Sequence, residues 1–413
     1  MVNRFRKSVE ILIVGAGPAG SLAAALLCRQ GRQVLILERE QFPRFSIGES
    51  LLPQSMEYLE QAGMLGIVQE AGFQLKNGAA FVRGSYYKEF DFHEKHSPGW
   101  STTYQVPRAH FDQLLARAAE AQGAEVRYRH EVVAVDLSGP RPRVAARAPG
   151  GKEYVVDAGF ILDASGFGRV LSRLLQLETP SSCPVRGAIF THLEDGIEKA
   201  DFDRNKTLIA IHPERAGLWY WLIPFANGRY SLGVVGETEF TEVDPGRELQ
   251  QLQRLVTEEP SLRRLLANAR WDSPARQIAG YAVNVKTLWG RGYALLGNAA
   301  EFIDPIFSSG VTIAFKSASL AAALLQRQFA GLAVDWHNEF EAPLKLGVDA
   351  FRAFVESWYS GRLQRIFFYP KPPPEILRMI SGILAGYAWD ETNPYVKETS
   401  RRLAALEELC YQG

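Results

Sequence analysis

Apolar residues fall in blocks whose spacing changes along the chain. Val9-Glu10-Ile11-Leu12-Ile13-Val14 is a nearly unbroken apolar run, the pattern of a strand buried on both faces. An Ala/Leu-rich stretch from about Ser21 to Arg29 follows and predicts a helix. Val34-Leu35-Ile36-Leu37 predicts a second buried strand, which ends on Glu38. The same kind of run returns in Gly159-Phe160-Ile161-Leu162-Asp163 and in Tyr293-Ala294-Leu295-Leu296, each running into a turn. Strand, helix and strand in that order predict an α/β unit with a parallel sheet. Leu208-Ile209-Ala210-Ile211-His212 and Tyr230-Ser231-Leu232-Gly233-Val234-Val235 predict further strands, of a mostly antiparallel sheet. From about residue 331 the pattern turns helical, with Pro370-Lys371-Pro372-Pro373-Pro374 as a stiff break.

The turn after the first strand is Gly15-Ala16-Gly17-Pro18-Ala19-Gly20. A Gly-x-Gly-x-x-Gly alone carries little weight, but here a strand precedes it, a helix follows, and Glu38 stands 18 residues beyond Gly20. Gly15 permits the tight turn, Gly17 lets the backbone approach a pyrophosphate, and Gly20 allows close helix–strand packing. The helix N-terminus offers free N–H groups to the phosphates. Glu38 can accept a hydrogen bond from a ribose hydroxyl and disfavours a 2′-phosphate. The two later turns, Asp163-Ala164-Ser165-Gly166 and Gly297-Asn298-Ala299, choose FAD over NAD. They resemble segments of the class A flavoprotein monooxygenases that touch the flavin nucleotide. Asn298 stands where most of that family has Asp.

Three further strings carry candidate chemistry. On a strand, alternate residues of Trp219-Tyr220-Trp221-Leu222-Ile223-Pro224 share a face, so Trp219, Trp221 and Ile223 form one apolar wall. The plain alternative is a core strand. Phe302-Ile303-Asp304-Pro305-Ile306-Phe307-Ser308-Ser309-Gly310 leads into a helix from Gly310 to about Leu325, with Ser308 and Ser309 as N-cap candidates. Such a helix start can hold a small anion or oppose negative charge on a flavin; it can also be only a capped helix. Lys76 sits between apolar flanks in Phe73-Gln74-Leu75-Lys76-Asn77-Gly78. A lysine is ordinarily a solvated surface residue. The alternative is an amine facing a dry passage, with its pKa lowered by desolvation.

Trp219-x-Trp221-x-Ile223-Pro224, Phe302-x-x-Pro305-x-Phe307-Ser308-Ser309-Gly310, Lys76 and Phe42-Pro43-Arg44-Phe45-Ser46-Ile47-Gly48-Glu49-Ser50-Leu51-Leu52-Pro53 together resemble the flavin-dependent halogenases, in the branch acting on phenols and pyrroles. Tyr104-Gln105-Val106-Pro107-Arg108 is similar to that branch too, and the resemblance spans roughly residues 8 to 330. It implies that reduced FAD, supplied by a separate flavin reductase, works with O2 and a chloride or bromide ion held near Ser309 and Gly310. The hypohalous acid so formed travels to Lys76 and halogenates an electron-rich aromatic ring, free or tethered to an acyl carrier protein. The Trp219/Trp221 wall keeps substrate from the flavin. The resemblance places Gly15, Gly17, Ala19, Gly20, Glu38, Arg39, Arg44, Ile47, Gly48, Arg108, Asp163, Gly166, Asn298, Pro305, Gly310 and Val311 around FAD, with Lys76, Trp219, Trp221 and Ser309 in the catalytic machinery. Arg108 is expected near the flavin phosphates.

The expected fold is therefore α/β: a Rossmann-like FAD-binding domain interleaved with a mostly antiparallel β-sheet substrate domain, and a helical C-terminus. The FAD-binding domain is assembled from 1–50, 100–175 and 280–330, the substrate domain from 51–99 and 176–279, and the helical region covers 331–413. The aromatic tail around Tyr387-Ala388-Trp389 is expected to pack the last helices rather than cover a substrate mouth.

Composition changes this picture little. With 46 basic and 46 acidic residues the formal charge is zero, and no basic tract points to nucleic acid or an anionic membrane. Cys28, Cys183 and Cys410 are few and scattered, which predicts reduced thiols in a cytoplasmic protein without metal. His93-x-x-His96 lies in a charged stretch and reads as a surface loop. No signal peptide or membrane span is evident in the sequence. Three rivals remain: an aromatic hydroxylase on the same scaffold, a flavin-dependent reductase of an isoprenoid or polyene double bond, and a non-catalytic flavoprotein.

Overall fold

The computed structural model describes residues 6–412 except 182–183, 195, 199–201 and 216, so Cys183 lies outside the described residues. The strand Arg6–Val14 is the centre of a parallel sheet, flanked by Glu153–Asp163 on one side and Val34–Glu38 on the other. Glu125–Tyr128 and Tyr293–Leu295 extend it in parallel at the two ends, and Trp289–Gly290 closes one edge. The helices Pro18–Arg29, Arg108–Ala121 and Gly310–Phe329 pack together beside it. Ile11, Leu12 and Ile13 are fully buried, as their unbroken apolar run requires.

The second sheet runs in the order Arg276–Ala279, Arg186–Glu194, Arg229–Glu237, Trp219–Pro224, Lys206–Ile211, Gly78–Arg83 and Tyr86–Asp91. All its pairings are antiparallel except Lys206–Ile211 with Gly78–Arg83. A two-stranded ribbon, Gln74–Lys76 with Thr103–Gln105, lies beside it. The last helices, Ala342–Tyr359, Arg362–Phe367, Pro374–Leu384 and Thr399–Gln412, follow the helix Gly310–Phe329, and the proline run separates the second from the third. The aromatic tail packs inwards: Trp389 Nε1 donates to the Leu344 carbonyl at 3.3 Å, and Tyr387 Oη donates to Glu57 Oε1 at 2.9 Å.

One helix start and one helix cap differ from expectation, while the helix expected from Gly310 does begin there. The first helix begins at Pro18 rather than Ser21, because proline suits the first helical position, where no N–H is needed. Neither Ser308 nor Ser309 gives a side-chain cap. Ser308 takes a left-handed conformation with φ +56°, while Ser309 stands at the N-cap position with helical angles and makes no cap bond. Asp304 caps instead the short turn Pro305–Phe307, accepting from the Ile306 amide at 3.0 Å.

Candidate active site

A cavity of about 620 Å³ lies between the parallel sheet and the second sheet. The glycine loop forms one end. Gly15 has φ +95°, and a Cβ there would stand 2.7 Å from the Ala164 carbonyl oxygen; one on Gly20 would stand 2.0 Å from the Gly15 oxygen. Both are therefore glycine because the chain passes too close for any side chain. Gly17 differs: only the Arg44 Nη2 lies near its Cβ direction, at 3.5 Å, so it is bare towards the cavity. Glu38 braces the loop, its two oxygens each accepting a backbone N–H at 2.8 Å, from Ala16 and Glu40. Each oxygen keeps a further lone pair for a ligand.

Next to this loop lies a charged cluster. Arg108 gives Nε and Nη2 to the two oxygens of buried Asp112, at 2.7 and 3.1 Å, and Nη1 to the Ile47 and Gly48 carbonyls. This fork spends most of the donors of Arg108 on the protein itself and fixes the turn at Gly48. Arg44 reaches the same Asp112 at 3.2 Å, its guanidinium over the Phe42 ring.

The opposite wall is the expected aromatic face: Trp219, Trp221 and Ile223 all line the cavity. Each indole is anchored from behind. Trp219 Nε1 donates to Tyr359 Oη at 2.9 Å, and Tyr359 donates in turn to Asp304 Oδ2 at 2.9 Å. Burial raises the Asp304 carboxyl to about 6. Trp221 Nε1 donates to Ser231 Oγ at 3.0 Å, and its ring lies flat on Gly233, where a Cβ would come within 2.2 Å of it. Pro305, Ser308, Gly310 and Val311 complete this end, so the helix start faces the cavity with first-turn N–H groups that have no intrahelical acceptor.

Lys76 is 2% exposed. Its Nζ donates to Ser50 Oγ at 2.7 Å and to the Leu51 carbonyl at 2.9 Å, with the Phe92 ring 5.6 Å away. Burial lowers its pKa to about 7, since no carboxylate offsets the loss of water. The fold thus buries this lysine instead of leaving it in solvent, and it does so outside the cavity lining.

Most of the residues expected around a flavin meet at this cavity: Gly15, Gly17, Ala19, Glu38, Arg39, Arg44, Ile47, Gly48, Arg108, Gly166, Asn298, Pro305, Gly310 and Val311 all line it. Gly20, Asp163, Ser309 and Lys76 do not. Asp163 stands behind the wall, accepting from the Ser165 and Leu171 amides at 3.0 and 2.7 Å, which shapes the turn that presents Ser165 and Gly166. Ser309 is buried, its carbonyl accepting from the Ile313 amide at 2.9 Å. Lys76 is screened from the cavity by Ser50, which does line it.

Sequence reasoning missed several groups. Glu49 lines the cavity and its Oε1 lies 2.7 Å from His192 Nε2, a pairing 143 residues apart with no local signal. Thr207, on the strand Lys206–Ile211, faces the cavity and bonds Ser50 Oγ at 2.8 Å. Among the described residues no group of His, Cys, Asp and Glu could hold a metal ion, and no helix is long and apolar enough to cross a membrane. His93 pairs instead with Asp91 Oδ1 at 2.8 Å on the surface.

Residues 8–337 match the model of the family described as FAD binding domain. The chain is 30% identical to a tryptophan 2-halogenase of Chondromyces crocatus over 78% of its own length, and spans 62% of that enzyme. It is 29% identical to a 1H-pyrrole-2-carbonyl-[peptidyl-carrier protein] brominase of Pseudoalteromonas luteoviolacea, covering 93% of each chain. Among solved structures, a flavoprotein/dehydrogenase from Cytophaga hutchinsonii superposes with a TM-score of 0.94 at 40% identity, over 98% of this chain and all of the other. A glycine loop, a braced acidic strand end and two later turns converging on one cavity are what an FAD site requires, and the chain belongs to the FAD binding domain family, among the relatives of the flavin-dependent halogenases.

Proposed function

We propose that this protein is a flavin-dependent halogenase acting on an electron-rich ring of the phenol or pyrrole type, free or tethered to a carrier protein, and fed reduced FAD by a separate reductase. One observation carries this beyond a general flavoprotein: a buried amine with a lowered pKa stands behind a polar gap in the wall of the flavin cavity. The pyrrole-carrier-protein brominase, which this chain matches over nearly its whole length, supports the tethered form of the substrate.

The residues present fit FAD. Bare Gly17 and the helix from Pro18 would take the pyrophosphate, with Arg44 over it. Glu38 would accept from the ribose, and Gly166 and Asn298 would follow the ribityl chain. Arg108 would hold the Ile47–Gly48 turn against the nucleotide rather than pair with phosphate, since its fork is committed to Asp112. FAD, when bound and reduced, supplies the electrons that O2 chemistry needs.

The protein's own part is containment. The helix start, with Ser309 before it and Gly310 and Val311 lining the cavity, would offer backbone N–H groups suited to a chloride or bromide ion. Trp219 and Trp221, each held by its indole N–H, exclude both water and the aromatic substrate. A diffusible oxidant is thereby directed to one positioned amine instead of to water or exposed side chains.

The test is aerobic turnover with a flavin reductase, FAD and bromide, on phenols and pyrroles both free and carrier-bound, with mass spectrometry of the products. The expected result is a brominated product that disappears in Lys76→Ala. An oxygenated product that survives the substitution makes the protein a hydroxylase. Bromide-independent turnover without oxygen makes it a reductase.

A further inference from the structure

Lys76, Ser50, Thr207 and Gln105 form one buried line of hydrogen bonds, each residue 4% exposed or less. Its direction can be worked out from the far end. Gln105 Nε2 lies 3.3 Å from two backbone carbonyls, of Arg204 and Lys206. Carbonyls only accept, so the amide nitrogen must point at them and Gln105 Oε1 must face Thr207, 3.2 Å away. That oxygen accepts, so the Thr207 hydroxyl donates to it. With its single hydrogen spent, Thr207 can only accept from Ser50, 2.8 Å away. Ser50 has then spent its own hydrogen and can only accept from Lys76, 2.7 Å away. The second Lys76 bond goes to the Leu51 carbonyl, also an acceptor.

A neutral amine has two hydrogens and one lone pair. Here both hydrogens have acceptors, which leaves the lone pair unengaged. Reversing the line at any point would let Ser50 donate to Lys76 and occupy that lone pair. The line also crosses the cavity wall: Ser50 and Thr207 line the cavity, whereas Lys76 and Gln105 do not. The two hydroxyls are thus where anything leaving the cavity towards Lys76 first meets a polar group.

We propose that Gln105, acting through Thr207 and Ser50, is the positioning residue that keeps the Lys76 lone pair open, and that the Ser50/Thr207 hydroxyl pair is the port through which oxidant reaches that amine. This rests on the reading of Lys76 given above. The substitution that isolates it is Thr207→Val, which keeps shape and branching on the strand and removes only the hydroxyl. Thr207→Ser restores it.

In the bromination assay, brominated product and free hypobromite caught by an added scavenger are both measured per flavin oxidised. Thr207→Val is expected to lower product three- to tenfold and raise free hypobromite, with FAD affinity unchanged, and Thr207→Ser is expected to recover most of the coupling. A role in folding alone would lower both outputs together. Selective 15Nζ NMR of Lys76 in the purified protein gives a second readout: the signal should shift in Thr207→Val and return in Thr207→Ser. Wild-type coupling with an unmoved Lys76 signal in Thr207→Val overturns the proposal. Lys76→Ala, run alongside, separates the two levels: if it brominates like wild type, the reading of Lys76 itself falls.

Discussion

The indole N–H of Trp219 ends on the phenolic oxygen of Tyr359, 2.9 Å away and 140 positions later in the chain. That bond ties the aromatic wall of the flavin cavity to the helix Ala342–Tyr359, and through Tyr359 to Asp304, just before the cavity-facing helix start at Gly310. Tyr359→Phe removes an acceptor from one buried group and a donor from another. It should cost roughly 1–3 kcal/mol in denaturant unfolding, the usual penalty for stranding buried polar groups. It should also loosen Trp219, raising the share of oxygenated over halogenated product. A variant with wild-type stability and product ratio would show the bond to be incidental.

Lys76 is expected to make both stability and coupled halogenation depend on pH. Its folded pKa, about 7, lies below the ordinary 10.5, so the unfolded chain holds more protons between those values. Stability gained from this group therefore rises with pH across that window, and the penalty is complete below about 7. At about 1.4 kcal/mol per unit the full penalty is roughly 4–5 kcal/mol. The stability of Lys76→Met relative to wild type should accordingly be most favourable near pH 6 and decline towards pH 10, measured by urea titrations at several pH values.

For catalysis, an amine that attacks the oxidant must be neutral. Coupled halogenation should then rise through pH 7 while flavin oxidation does not. A coupled rate that falls through pH 7 would mean that the charged form acts, as a hydrogen-bond donor.

The loop glycines should fail in different ways. Gly20→Ala drives a methyl into the Gly15 carbonyl and should lower thermal stability in the absence of any cofactor. Gly17→Ala meets no backbone and should fold normally, yet lose FAD affinity, because its methyl occupies the approach to the pyrophosphate. Calorimetry and FAD titration on both variants distinguish packing from ligand approach.

Gly233→Ala tests the second tryptophan. A Cβ at Gly233 falls within 2.2 to 2.5 Å of three Trp221 ring atoms, so the indole must leave its seat and its bond to Ser231. The expected result is altered tryptophan fluorescence with oxygenated product gained at the expense of halogenated product. An unchanged spectrum would place Trp221 elsewhere in solution.

The glycine loop was legible because the signals that mark it are local: strand, turn, helix and Glu38 follow within a few dozen residues, even though Gly15 also meets the distant Ala164 carbonyl. The Trp219/Trp221/Ile223 face was legible for the same reason, since strand alternation is a period of two. Ser308 and Ser309 misled as caps because cap preference is a statistical property of residue type. Which group closes a turn depends on backbone angles that Asp304 and the tight Pro305–Phe307 turn set first.

By itself, then, the sequence determined the α/β fold, the cofactor class, the two-tryptophan face and a set of site residues most of which line one cavity, because each is written in periodicity or in short spacing. Only the tertiary structure decided that Lys76 is buried, with its amine pKa near neutral, since desolvation depends on what other segments cover it. The same holds for the Lys76–Ser50–Thr207–Gln105 line and for the anchoring of Trp219 by Tyr359. These join residues 26 to 157 positions apart, where nothing in the local pattern of either partner names the other.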